Sequence, residues 1–315
     1  MKRSNPKWFF LAGLLTWLAS FALSLRFGAV VDADWKLIAQ LRIPRALLAS
    51  AVGMGLSTAG ATLQALFSNP LCEPYTLGIS SGAALGAVIG SALGLQWLLA
   101  GLTGSAFIGA LAFMGVLFVI AHRPNVSNLS LLLAGVMLGF LGSSLLALWM
   151  ALSDPEGIQG ALVWLLGDLS RARLSGSVAS IASMLGLLAL IWSRSRELDA
   201  LLMGEEDALG LGVAVQTVRK RLIILSSLII AICVSAAGMI GFIGLVVPHF
   251  ARRFVGSLHR SLLPAVAIWG AAALTLADLV ARVATRPYEL PVGVVTALIG
   301  APVFLWVMLR KRATP

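Results

Sequence analysis

Charge is scarce in this 315-residue chain: Asp, Glu, Lys and Arg together make up 11% of it, against about 25% in soluble domains. Acids are the scarcer sign, 13 against 23 Lys and Arg, and cysteine and tyrosine occur twice each. So few charges beside a hydrophobic fraction of 59% and a mean hydropathy of +0.96 exclude a soluble enzyme, a coiled coil and a disordered chain. Cys72 and Cys233 sit in separate apolar segments without metal spacing; they form no disulfide framework and read as small core residues. The three histidines, His122, His249 and His259, fall at the borders of apolar runs, where packing is their expected role. No His-Glu-x-x-His occurs, and the absence of any Gly-Lys dipeptide rules out a Walker A phosphate loop. No catalytic residue, metal ligand or cofactor is therefore assigned to this chain.

What is present is a succession of apolar runs. A membrane helix needs about 20 mostly apolar residues, and runs broken by Pro, Gly or charge predict an all-α polytopic membrane protein. Its spans fall near 8–27, 45–67, 76–95, 99–121, 129–151, 175–193, 222–239, 241–256, 262–283 and 290–309. The eighth is short enough to tilt or to begin irregularly. The first, Trp8–Leu25, is longer than a signal-peptide core and reads as a retained helix. With the N-terminus inside, ten crossings return the C-terminus inside, and Lys and Arg then favour the cytoplasmic side by about two to one. The net charge of +10 follows from that bias and does not indicate nucleic acid. The 32 glycines suit helices that approach closely through small residues.

Three features stand out within this frame. The longest polar stretch, 193–221, mixes acids with Leu198, Leu201, Leu202, Leu209 and Leu211, and Gly204 punctuates it. It predicts two short surface helices that dock a partner, since a connection this long is usually functional. Ser57-Thr58-Ala59-Gly60, with Pro70 ten residues on, resembles Ser235-Ala236-Ala237-Gly238 with Pro248 ten residues on. Copies five crossings apart would run oppositely, an inverted repeat of the kind found in transporters. Asp278 is the clear intramembrane acid and by default a functional hypothesis. Arg282, four residues on, offers it a structural partner on the same helical face.

Leu41-Arg42-Ile43-Pro44-Arg45, Gln64-Ala65-Leu66-Phe67-Ser68-Asn69-Pro70-Leu71 and Leu77-Gly78-Ile79-Ser80-Ser81-Gly82 resemble the FecCD family of ABC-importer permeases for ferric siderophores, haem and cobalamin. The resemblance continues through Leu201-Leu202-Met203-Gly204-Glu205-Glu206 and Gly241-Phe242-Ile243-Gly244-Leu245-Val246-Val247-Pro248-His249, and closes on Gly300-Ala301-Pro302-Val303-Phe304. It implies a type II importer permease with ten helices in inverted repeats, one transmembrane domain over 1–315 holding a coupling segment at 193–221. It also implies a multi-pass place in the bacterial inner membrane, a homodimer with a second permease copy, and a substrate path along the dimer axis. Two cytoplasmic ATPase subunits, which bind the ATP and Mg, and a periplasmic substrate-binding protein would complete the importer.

By the same resemblance, Asn128, Ser130, Gly135, Gly139 and Ser143 on the fifth span would face the substrate pathway; ordinary small-residue packing is the alternative. Gln64 and Asn69, at the end of the second span, either line the pathway or satisfy freed backbone groups. Arg42, Arg45 and Arg282 would form the docking surface for the binding protein, through bidentate pairs with carboxylates. Met203, Gly204, Glu205, Glu206, Ala208, Leu209, Leu211 and Gly212 would meet the ATPase. An ion-coupled secondary transporter is the competing reading, disfavoured by the scarcity of membrane acids.

Overall fold

In lipid a spanning segment must satisfy its own backbone, which leaves the helix as the natural form for isolated apolar runs. The computed structural model describes residues 6–29, 34–94, 102–123, 126–153, 162 and 164–311, and their regular structure is helical throughout. Helix α1 covers Pro6–Arg26. A helical turn and a π-helical turn, Ile38–Arg42, lead without a break into α2, Ile43–Leu66, with Pro44 in its first turn, where its ring offers no N–H to the π-helical turn before it. A 3-10 turn, Pro74–Leu77, precedes α3, Ile79–Ala92. Then follow α4, Leu102–Ala121, α5, Asn128–Leu152, and α6, Leu174–Trp192. The short helices α7, Ser195–Leu201, and α8, Glu205–Gly210, come next. The chain closes with α9, Val215–Ala237, α10, Ile243–Val255, α11, His259–Val283, and α12, Val292–Lys311.

All ten expected spans are present as helices. Among the described residues, seven helical stretches, those of α1, α2, α4, α5, α6, α9 and α11, are long and apolar enough to cross a membrane, and two shorter apolar helices lie in α3 and α12, so the chain is a multi-pass membrane protein. Helix α10 has 13 residues, about 20 Å at 1.5 Å per residue, short of the ~30 Å hydrocarbon core. It starts irregularly: Gly238 and Phe242 both have left-handed φ, 70° and 69°, and the chain between them is non-helical.

Helix α2 is the buried axis. Its run of Ala, Gly, Ser and Thr lets α6, α9, α10 and α11 pack around it. Ser57 Oγ donates to the Val266 carbonyl of α11 at 2.7 Å. Helix α1 leans on α11, where Phe9 stacks on Trp269 and on Phe254 of α10. Helices α3 and α4 pair closely, and α5 covers α3 and the 3-10 turn.

The four-residue repeat does not survive in local geometry. Gly60 lies inside α2 against the backbone of Gly244, whereas Gly238 ends α9 with a positive φ. Pro70 stands in a turn and Pro248 inside α10. Those residues match in letters and differ in conformation.

Candidate functional site

At one end of the bundle the π-helical turn before α2, α2 itself, α11 and the stretch between α11 and α12 bring three arginines and two acids together beside the end of α1. Asp278, fully buried, faces Arg45 Nε at 2.8 Å through Oδ1 and Arg282 Nε at 3.0 Å through Oδ2. The second contact is an ion pair out of line for a hydrogen bond. Arg45 Nη1 also donates to Glu289 Oε2 at 2.6 Å. Arg282 Nη2 donates to Ser24 Oγ, and its Nη1 donates to the Ser24 carbonyl at 3.2 Å. Arg42 Nη1 donates to the carbonyls of Leu25 and Arg26 at 2.9 and 2.8 Å, where the last turn of α1 favours a cation. The expected Asp278–Arg282 pair is present, and Arg45 is a third member.

The docking expectation for Arg42, Arg45 and Arg282 needs correction in one respect: none stands out as an exposed fork. Arg42 and Arg282 are 5% and 3% accessible, and the Arg45 side chain 11%. All three, with Glu289, instead line a cleft of about 360 Å³.

Gln64 satisfies backbone at a broken helix. Its Nε2 donates to the Cys72 and Gly244 carbonyls at 3.3 and 3.2 Å, and Oε1 accepts from Arg252 at 2.5 Å. At 3% accessible, its amide is committed to this joint. Asn69 Oδ1 accepts from the Leu71 amide at 2.9 Å, an Asx-turn on a half-buried residue. Two residues missed from sequence complete this joint. Glu73 accepts from the Phe242 amide and the Tyr75 hydroxyl accepts from the Ile240 amide, so the turn after α2 holds the irregular start of α10. Burial pushes the Glu73 carboxyl above the usual carboxylate range, and the Phe242 amide opposes that rise. The signal was available in Cys72-Glu73-Pro74-Tyr75, an acid and a phenol between apolar spans.

On α5 the predicted pathway residues divide. Gly135 is buried, and a Cβ there would sit 2.9 Å from the Thr76 carbonyl; a Cβ on Gly78 would meet the Gly135 carbonyl at 2.6 Å. Gly135 therefore serves close packing against the 3-10 turn. Gly139 is half-buried over the same Gly78. Ser143 is exposed, 3.4 Å from Ser81 Oγ on α3. Ser130 is exposed too, and its amide donates to Ser127 Oγ, the N-cap of α5. Asn128 is half-buried and turned away from an open face: its Nδ2 donates to Glu205 Oε1 at 2.7 Å.

Gly78-Ile79-Ser80-Ser81-Gly82 spells a nucleophile elbow, but that motif needs a strand-to-helix turn that exposes its serine. Here a 3-10 turn leads in and Ser80 is buried.

The segment 193–221 holds the two short helices its pattern predicts. Gly204 joins them with φ 116°, a conformation few other residues adopt. Met203, Leu209 and Leu211 are 60–65% accessible, beside exposed Glu206, Asp207 and Gly212. Ala208 breaks the pattern: it is fully buried and belongs to the chain's own interior, not to a contact surface. Asp199 Oδ1 of α7 accepts from the His259 amide at 2.8 Å and lies 2.7 Å from its Nδ1, fastening the segment to α11. Among the described residues no cluster of His, Cys, Asp and Glu could hold a metal.

Residues 9–310 match the FecCD transport family. The hemin transport system permease protein HmuU of Yersinia pestis is 40% identical over 300 residues, 92% of this chain and 90% of that one. The vitamin B12 import system permease protein BtuC of Salmonella paratyphi A is 40% identical over 320 residues, 98% and 97% of the two chains. A solved metal-chelate type ABC transporter in an inward-facing conformation superposes with a TM-score of 0.88 at 32% identity, covering 97% of this chain and all of that one.

Proposed function

The chain belongs to the FecCD transport family, and on that premise we propose that it is the permease subunit of an ABC importer for an iron chelate, haem or cobalamin. The end-to-end likeness to a hemin and a vitamin B12 permease carries this reading. Two copies form the path across the inner membrane, with both termini and the segment 193–221 on the cytoplasmic side. Two ATPase subunits dock there, and hydrolysis belongs to them, since this sequence has no phosphate loop. Exposed Met203, Leu209 and Leu211 beside Glu206 and Asp207 give that docking surface its mixed apolar and acidic character.

A periplasmic binding protein delivers the cargo at the opposite end. The cleft lined by Arg42, Arg45 and Arg282 suits an acidic group on that protein, although Asp278 and Glu289 already take part of the charge. The same pairing weighs against an ion-coupled carrier. Among the described residues Asp278 is the one fully buried acid, and two guanidiniums hold it.

The test is reconstitution in liposomes with the cognate ATPase and binding protein, offering hemin, cyanocobalamin and a ferric hydroxamate in turn. ATP-dependent accumulation of one of them is expected. Accumulation by the permease alone, driven by a proton gradient, would overturn the assignment.

A further inference from the structure

Glu205, the first residue of α8, carries two bonds on one oxygen. Its Oε1 accepts from Asn128 Nδ2, the first residue of α5, at 2.7 Å, and also from Arg219 Nη2 of α9. Arg219 Nη1 reaches back to the Val126 carbonyl, just ahead of α5, at 3.3 Å. The Arg219 side chain is 4% accessible, so its charge is committed to this joint. One carboxylate thus fastens the short surface helix to the start of α5 and to α9, across sequence separations of 77 and 14 residues. Asn128 Oδ1 is buried without a hydrogen-bond partner, which leaves the Nδ2 contact as that side chain's hydrogen bond to α8. Charge-assisted bonds of this kind are shorter and stronger than neutral ones, and the planar guanidinium fixes direction as well as distance.

We propose that Glu205 is a positioning residue that transmits displacement of α8 to α5 through Asn128, with Arg219 holding the carboxylate in place. This rests on the importer reading: α8 moves with the ATPase, and α5 carries the face along which cargo passes. Exposed Glu206 and Asp207 touch the partner; half-exposed Glu205 faces inward and carries the movement onward. A plain capping role would affect folding alone. A transmitting role affects the number of cargo molecules moved per ATP.

The experiment uses the full complex of permease, ATPase and binding protein in liposomes, with uptake and hydrolysis read in the same vesicles. Asn128→Asp sets a second carboxylate where Nδ2 donated. Uptake per ATP is expected to fall at least fivefold, with ATPase pull-down and the unfolding midpoint near wild type. Adding Glu205→Gln to that variant restores a donor–acceptor pair with its direction reversed and keeps one acid for Arg219. This double variant is expected to return to within twofold of wild type.

Asn128→Ala, which removes the bond without adding charge, is expected to assemble and to couple poorly, and it decides the matter if Asn128→Asp fails to fold. Wild-type coupling in Asn128→Ala, or a double variant as poor as Asn128→Asp, would overturn the proposal. Loss of uptake by the unmodified complex would instead overturn the importer reading.

Discussion

A single buried carboxylate, Asp278, pairs with two guanidiniums that arrive from different helices. Removing one partner from a buried ion cluster typically costs about 3–5 kcal/mol, because the remaining charge is stranded. Asp278→Asn is therefore expected to lower the detergent-solubilised unfolding midpoint far more than Glu289→Gln, whose carboxylate is 35% accessible. Equal midpoints for the two variants would show that the cluster is solvated. Charge reversal at Arg42 falls under the same logic: with its guanidinium spent on the last carbonyls of α1, it tests folding before it tests docking. The sequence disclosed the Asp278–Arg282 pair because four residues is one helical turn. It did not disclose Arg45, 233 residues away, or the bond from Arg252 to Gln64, 188 residues away. Those partners depend on which helix faces meet, and composition does not encode that.

At the scale of the element, α8 shows how a pattern can be right about a helix and wrong about one of its faces. Acids, leucines and Gly204 predict the short helices, and they form. Ala208 nevertheless points inward and is fully buried, so a bulky residue there overpacks the permease, typically at about 1–3 kcal/mol. Ala208→Trp is expected to reduce the yield of folded protein and so cannot isolate the ATPase contact. Leu209→Glu can, since Leu209 is 60% accessible and exposed substitutions usually stay within about 0.5 kcal/mol. The expected result is an unchanged unfolding midpoint with ATPase pull-down at least tenfold weaker; full recovery of the ATPase would mean that α8 lies outside the contact. The spans themselves were legible because lipid imposes length and apolarity on each. The start of α10 was legible only as a shortage of residues. Its tether to Glu73 and Tyr75 is tertiary, and no local spacing announces it.

At the scale of the whole molecule, the proposed path rests on one helix face. Leu133, Met137, Phe140, Leu141 and Leu148 of α5 are all 50–65% accessible in the single chain, and exposed Ser130 and Ser144 lie on or beside their stripe. Lipid alone would satisfy the apolar members. Hydroxyls are better accommodated against protein or water than in hydrocarbon, and Ser144 falls at the middle of the stripe. On the proposed reading, with cargo passing between two copies, this face would border water during part of the cycle. Beyond its first turn, helix α6 supplies the contrast, because exposed Val178, Ala182, Leu185 and Ala189 present a face suited to lipid. Native Cys72 and Cys233 are both buried, so an introduced thiol can be followed without removing them. A thiol reacts as its thiolate, which needs water. Ser144→Cys in membranes is therefore expected to be labelled by a charged, water-soluble maleimide at least tenfold faster than Leu185→Cys, with binding protein and nucleotide altering the rate at Ser144 alone. Slow, equal labelling at the two positions, unchanged by nucleotide, would place α5 against lipid and move the path to another face of the bundle.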